Sequence, residues 1–257
     1  MNPPLAGHRV LVTRAAHQAG KLSEGLRAAG FEPVEVPVIE IAPPVSFDPL
    51  DAALRRLGDY DWLILTSANT VKALVDRAAT LGMSFTASAN LQIAAVGEAT
   101  AATARTAGFR VDLVPETYVA ESLVEKIMPV AGGKRILLAR AAVARDVMPD
   151  ALRAAGATVD VVDAYRNVMP ANAPELLQQA LASRIDAVAF TSSSSVTHLA
   201  DAARAANLAF PLAGVAAISI GPITSATLRE LGWPPAAEAT QSDIPGLIAA
   251  VANFFRE

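Results

Sequence analysis

Gly7-His-Arg-Val-Leu-Val-Thr-Arg14 and Gly133-Lys-Arg-Ile-Leu-Leu-Ala-Arg140 are one segment written twice. Their offset is 133 − 7 = 126, and at that offset residues 26–30 (LRAAG) return unchanged at 152–156. Residues 61–71 (DWLILTSANTV) match 186–196 (DAVAFTSSSSV) at an offset of 125. Residues 96–109 (VGEATAATARTAGF) match 220–233 (IGPITSATLRELGW) at 124. Four blocks in one order identify two copies of an α/β half of roughly 120 residues, the size of an ordinary domain.

Within each copy, apolar runs rich in Val, Ile and Leu alternate with longer segments. The runs at 10–13, 62–65, 93–96 and 111–114, with counterparts at 136–139, 187–190 and 215–220, read as parallel strands buried on both faces. Between them, apolar residues recur at helical spacing, as at Leu22, Leu26 and Ala29, closed by Gly30. This alternation predicts an α/β protein with two flavodoxin-like lobes, each a parallel sheet flanked by helices, whose ligand edge is the carboxyl end of the strands. A boundary at 129–133 gives lobes in tandem. The Pro-rich stretches 37–49 and 163–174 read equally as linkers, and then one lobe is the continuous middle of the chain.

Composition narrows the function. The chain of 257 residues carries 21 Lys+Arg against 25 Asp+Glu, a net charge of −4, with 53% hydrophobic and 18% charged residues. Such a chain is not disordered, and its balance excludes the basic stripe of a dedicated nucleic-acid binder. It has no cysteine, which rules out disulfides, thiolate catalysis and Cys-ligated metals. Residues 1–7 do not read as a signal peptide, and the apolar runs fall short of the ~20 residues of a membrane span. The expectation is a cytoplasmic protein with neither nucleic-acid nor membrane partner.

Small hydroxyl and amide residues recur where strands meet helices. Thr66-Ser67-Ala68-Asn69 matches Thr191-Ser192-Ser193-Ser194, and Gly97-Glu98-Ala99-Thr100 matches Gly221-Pro222-Ile223-Thr224. Singly, such turns are helix caps. Four of them at carboxyl edges present free N–H groups and hydroxyls suited to anions. Arg14 and Arg140 end equivalent strands, where a guanidinium reaches either a ligand carboxylate or a neighbouring acid. Arg145 and Arg166 have weaker positional support. Tyr60 and Tyr118 read as packing residues, and Tyr165 sits in the second Pro-flanked stretch. No GxGxxG, GxxxxGK[ST] or GxSxG motif occurs, and His8, His17 and His198 form no metal-spaced cluster.

Taken in order, these segments resemble the uroporphyrinogen-III synthase family of tetrapyrrole biosynthesis. The similarity runs through VLVTR with Gln18, residues 37–43 (PVIEIAP), 61–69 (DWLILTSAN) and 96–101 (VGEATA). It continues through Leu137-Leu-Ala-Arg140, Tyr165, 190–193 (FTSS) and 220–224 (IGPIT). Each motif is loose, and the ordered set covers nearly the whole chain. The resemblance implies a doubly crossing chain: one lobe from 1–37 plus 168–257, the other from 42–164, with a two-stranded linker at about 38–41 and 165–167 and a cleft between the lobes. It implies that linear hydroxymethylbilane loses its hydroxyl as water and closes through a spiro-pyrrolenine with ring D inverted, without cofactor or metal. It also implies Tyr165 as the general acid. Arg14, Ser67, Asn69, Gly97, Thr100, Arg140, Ser192, Ser193, Ser194, Gly221, Pro222 and Thr224 are then substrate-binding residues. The expected protein is a monomer that receives substrate from hydroxymethylbilane synthase. A bilobal, non-enzymatic small-anion-binding protein is the second reading.

Overall fold

A computed structural model describes residues 7–83, 90–117, 120–144 and 146–256. In chain order these form β1 (Arg9–Val12), α1 (Ala16–Ala28), β2 (Glu32–Glu35), β3 (Glu40–Ala42) and α2 (Asp48–Arg55). Next come β4 (Trp62–Leu65), α3 (Ala68–Thr80), β5 (Gln92–Ala95), α4 (Glu98–Thr106) and α5 (Ala120–Ala131). Then follow β6 (Arg135–Ala141), α6 (Val147–Ala154), β7 (Thr158–Val168), α7 (Ala173–Leu181) and β8 (Ala187–Phe190). The chain ends with α8 (Ser193–Ala205), β9 (Ala216–Ser219), α9 (Pro222–Glu230), β10 (Ala237–Glu238) and α10 (Ile244–Phe254).

The chain divides into two compact units, 1–40 with 168–257, and 41–167. The first holds a sheet of order β10-β9-β8-β1-β2, all of whose registered pairs are parallel. Counted along the chain, that is the 2-1-3-4-5 order of a flavodoxin-like sheet. The second holds β3-β7-β6-β4-β5, with β7, β6, β4 and β5 parallel. Residues 165–167 lie within β7. The expected strand at 111–114 reduces to one bridge, Leu113 to Ala94. Its backbone hydrogen bonds to β5 come from Asp112 and Leu113 alone, at Ile93 and Ala95.

Alternating residues of each strand enter different cores, because successive side chains point to opposite faces. In the first unit, Leu11 and Val188 lie in one cluster, and Val10, Val12 and Ala189 in the other. In the second, Leu63, Leu65 and Leu137 face one cluster, and Trp62, Ile64 and Leu138 the other. Burial on both faces is why the sequence of these strands is apolar without alternation.

The sheet orders show what became of the repeat. β1 and β2 of the first copy pair beside β8 and β9 of the second, while β6 and β7 of the second copy pair beside β4 and β5 of the first. Each sheet is assembled from an arm of one copy and the body of the other.

Candidate active site

In the second unit the carboxyl ends of β7, β6 and β4 converge. Ser67 caps α3, accepting from the Thr70 N–H at 3.1 Å. Arg140 and Tyr165 arrive from adjacent strands. The β6–β7 register slips between Arg140, opposite Asp163, and Ala141, opposite Tyr165. Ala164 is the extra residue, and the bulge returns Tyr165 to the face of Val162 and Ala164, whose cluster it joins. A cavity of about 240 Å³ is lined by Thr66, Ser67, Arg140 and Tyr165, with Leu138, Val147 and Met148 among its apolar walls. Its mixture of apolar wall and a few convergent polar groups is that of a small-molecule site.

The Tyr165 ring is buried, and its hydroxyl lies 3.1 Å from Ser67 Oγ. Ser67 Oγ lies 3.0 Å from Thr70 Oγ1, which lies 3.1 Å from Thr66 Oγ1. Thr66 donates to the Ala139 carbonyl at 3.2 Å. Sequence reasoning places Ser67 and Tyr165 in the site and misses Thr66 and Thr70 as a connected pair. The repeat carried the signal, since Thr66 and Thr70 align with Thr191 and Ser195 (191 − 66 = 125, 195 − 70 = 125). In the first unit that turn closes on itself as a capping box. Ser195 N–H donates to Ser192 Oγ at 3.2 Å, Ser192 N–H to Ser195 Oγ at 3.3 Å, and Ser195 Oγ to the Ser192 carbonyl at 2.6 Å.

Arg140 is mostly buried and donates from Nη2 to Asp146 Oδ1 at 2.7 Å. Asn69 is half-buried in the first turn of α3, two residues beyond the cap. Gly97 is the extended cap residue of α4 beside them. Thr100, in the first turn of α4, is 7% exposed, as Tyr165 is, and in the first unit Thr224 of α9 is 4% exposed. Both remain candidates for the site, with little of either side chain exposed. The residues one turn on, Thr103 and Thr227, are half-exposed.

The first unit presents its own carboxyl edge. Arg14 follows β1, half-buried, with no hydrogen-bond or ion-pair partner among the described residues. Desolvation without a compensating charge holds its guanidinium below the usual arginine value. β8 lies beside β1 and ends in the Ser192 cap. Ser193 Oγ donates to the Ile223 carbonyl at 3.3 Å and accepts from Thr227 Oγ1 at 2.8 Å, tying α8 to α9. Ser194 is half-buried in the same turn. Gly221 caps α9 with Pro222 exposed at its first position. A Cβ on Gly221 would stand 2.5 Å from Ser242 Oγ, so a side chain there would make the Ser242 hydroxyl turn away.

Other candidates fall away. Arg166 donates from Nε to the Pro43 carbonyl at 2.8 Å. Tyr60 is buried and donates to Asp160 Oδ2 at 2.6 Å, and desolvation, then that bond, push its phenol up to about 12. His8 stacks on Phe255, and His198 Nδ1 is 3.0 Å from the Val38 carbonyl. Arg145, Tyr118 and residues 1–6 lie outside the described residues. Among the described residues no group of three His, Asp or Glu side chains is arranged to hold a metal, and no helix is long and apolar enough to cross a membrane.

The family model described as uroporphyrinogen-III synthase HemD matches residues 20–249. The chain belongs to the uroporphyrinogen-III synthase family. A uroporphyrinogen-III synthase of Synechococcus elongatus is 37% identical over 99% of this chain and 98% of its own. Crystal structures of a mutant uroporphyrinogen III synthase from Thermus thermophilus and of uroporphyrinogen-III synthetase from Helicobacter pylori share the fold. Their TM-scores are 0.67 and 0.63, at 20% and 19% identity, each over 96% of this chain and 98% and 99% of theirs. Within the family's two-domain α/β fold, Tyr165 is specific to one unit of this chain. The equivalent position of the first copy, at 165 − 126 = 39, is Ile39.

Proposed function

We propose that this chain is a uroporphyrinogen-III synthase that closes hydroxymethylbilane to uroporphyrinogen III with inversion of ring D. Beyond membership of the family, the observation that carries the reading is the Tyr165 phenol, set against Ser67 in a cavity also lined by Arg140. Pyrroles are strong carbon nucleophiles, so the enzyme's task is chiefly to hold the chain where attack at the substituted ring-D carbon is favoured. Tyr165 assists C–O cleavage by giving its proton to the departing hydroxyl, which leaves as water. The last closure releases the hydrogen of the pyrrole carbon that forms the new bond, and that proton restores the phenol.

Arg14 and Arg140, with the turns at Ser67, Asn69, Gly97, Ser192, Ser193, Ser194, Gly221 and Pro222, bind the substrate's acetate and propionate carboxylates. Arg14 is the strongest of these assignments, because its guanidinium is half-buried with no acid partner among the described residues. Thr100 and Thr224, in the first turns of α4 and α9, complete the set of substrate-binding residues. The protein works as a cytoplasmic monomer supplied by hydroxymethylbilane synthase. Nothing in the site favours a non-enzymatic anion-binding protein over the enzyme.

The test is to supply purified protein with hydroxymethylbilane, oxidise the products and separate the isomers by chromatography. Type III product above the spontaneous background is expected. Type I product alone overturns the assignment.

A further inference from the structure

The hydroxyls behind Tyr165 have a forced proton order. Each carries one proton, and the series ends on a carbonyl, which only accepts. Thr66 donates to Ala139 O, so Thr66 Oγ1 can only accept from Thr70 Oγ1. Thr70 has then used its proton and must accept from Ser67 Oγ. Ser67 Oγ already accepts from the Thr70 N–H, and its remaining lone pair takes the Tyr165 hydroxyl. In this state Tyr165 donates inward, to Ser67, and offers the cavity only lone pairs. A general acid needs the opposite order.

Reversal is possible at a cost of one bond. If Thr66 turns its proton to Thr70, then Thr70 donates to Ser67 and Ser67 to Tyr165. Three of the four hydroxyl bonds survive, and only the one to Ala139 O is lost. The Tyr165 proton is then free for the substrate, and Ser67 donates to the oxygen that becomes the phenolate. Thr70 is wholly buried, so water does not interrupt the series there.

The geometry points to Thr66 as a positioning residue that, through Thr70 and Ser67, sets whether Tyr165 meets the substrate as hydrogen-bond donor or acceptor. The functional consequence rests on the reading of Tyr165 as the acid; the proton order itself does not.

Thr66→Val tests it. Without the Thr66 hydroxyl, Thr70 has a proton and only Ser67 to receive it, so the donating order becomes the resting one. The readout is the effect of Thr66→Val on kcat/KM measured twice, in the Tyr165 and in the Tyr165→Phe background. The ratio of the two effects should favour the Tyr165 background by about 2- to 10-fold, the equivalent of one neutral hydrogen bond. A methyl group that merely disturbs the cavity acts alike in both backgrounds, and a ratio at or below one overturns the proposal. Thr66→Ser keeps the hydroxyl and should restore the wild-type value.

A second measurement needs no turnover. In ligand-free protein labelled at tyrosine Cζ, the Tyr165 resonance, assigned by its loss in Tyr165→Phe, should move in Thr66→Val and return in Thr66→Ser. An unmoved resonance overturns the proton order even if the protein proves to be no synthase. Should Thr66→Val fail to fold, Thr70→Val removes the constraint one step nearer and is expected to move the resonance in the same direction.

Discussion

Tyr165 and Ile39 occupy one position of the repeat, and only the former brings a hydroxyl to a strand end. Tyr165→Phe keeps the ring in its buried place and removes the proton. The expected outcome is a folded enzyme with near-normal KM and turnover reduced by about 100-fold or less, the lower end of general-acid effects, since an electron-rich pyrrole expels hydroxide readily. Its product should remain type III. Wild-type turnover in single-turnover assays would make Tyr165 a packing residue. Arg14 offers a converse case. A half-buried guanidinium with no acid partner among the described residues is desolvated at a cost and stands ready for a carboxylate. Arg14→Met should raise KM by roughly 10- to 100-fold, the range of a charge-assisted hydrogen bond, without lowering the thermal midpoint. A lower midpoint at unchanged KM would assign it to structure.

Whole elements explain where residue-level reading stopped. Helices α4 and α9 leave little of Thr100 and Thr224 exposed. Thr100→Leu and Thr224→Leu are therefore expected to destabilise by about 1–3 kcal/mol in urea unfolding, the usual penalty for overpacking. Strands β1, β4, β6 and β8 were legible because each is an apolar run buried on both faces. β2 (EPVE) and β10 are short or polar edge strands, and the end of β7 from Asp163 runs into the Pro-rich stretch 163–174 that reads as a linker. The bulge that aims Tyr165 left no trace in its composition. Helices α2 and α3 are joined by Arg77, whose Nε and Nη2 each donate at 2.6 Å to an Asp51 oxygen, beneath the ring of Phe47. That bond holds the Asp51 carboxyl below its ordinary 3.8. The Arg135 N–H, then Lys134, do the same for Asp61. A depressed carboxyl stabilises above its unfolded value and loses that contribution as pH falls through the folded one. Thermal midpoints should hold above pH 4, roughly the unfolded carboxyl value, and drop below it, with a shallower drop in Asp51→Asn. An identical acid limb in the variant would mean that other carboxylates dominate.

At the scale of the molecule, the repeat was visible because four blocks kept their order, whereas the pairing of β1 with β8 and of β6 with β4 had no local signature. Partners so far apart along the chain are chosen by which edges remain open, and no residue in β1 records that choice. The exchange of arms also has a consequence for synthesis. The second unit is contiguous and can close once residue 167 has emerged from the ribosome. β1 ends at Val12 and its neighbour β8 begins at Ala187, so 187 − 12 − 1 = 174 residues must be made between them. At about 5–20 residues per second, that arm waits roughly 9–35 s with one edge of its apolar strand unpaired. Protease treatment of stalled nascent chains should show the middle of the chain protected first and residues 9–35 last, which makes the opening arm the segment most exposed to chaperones during translation.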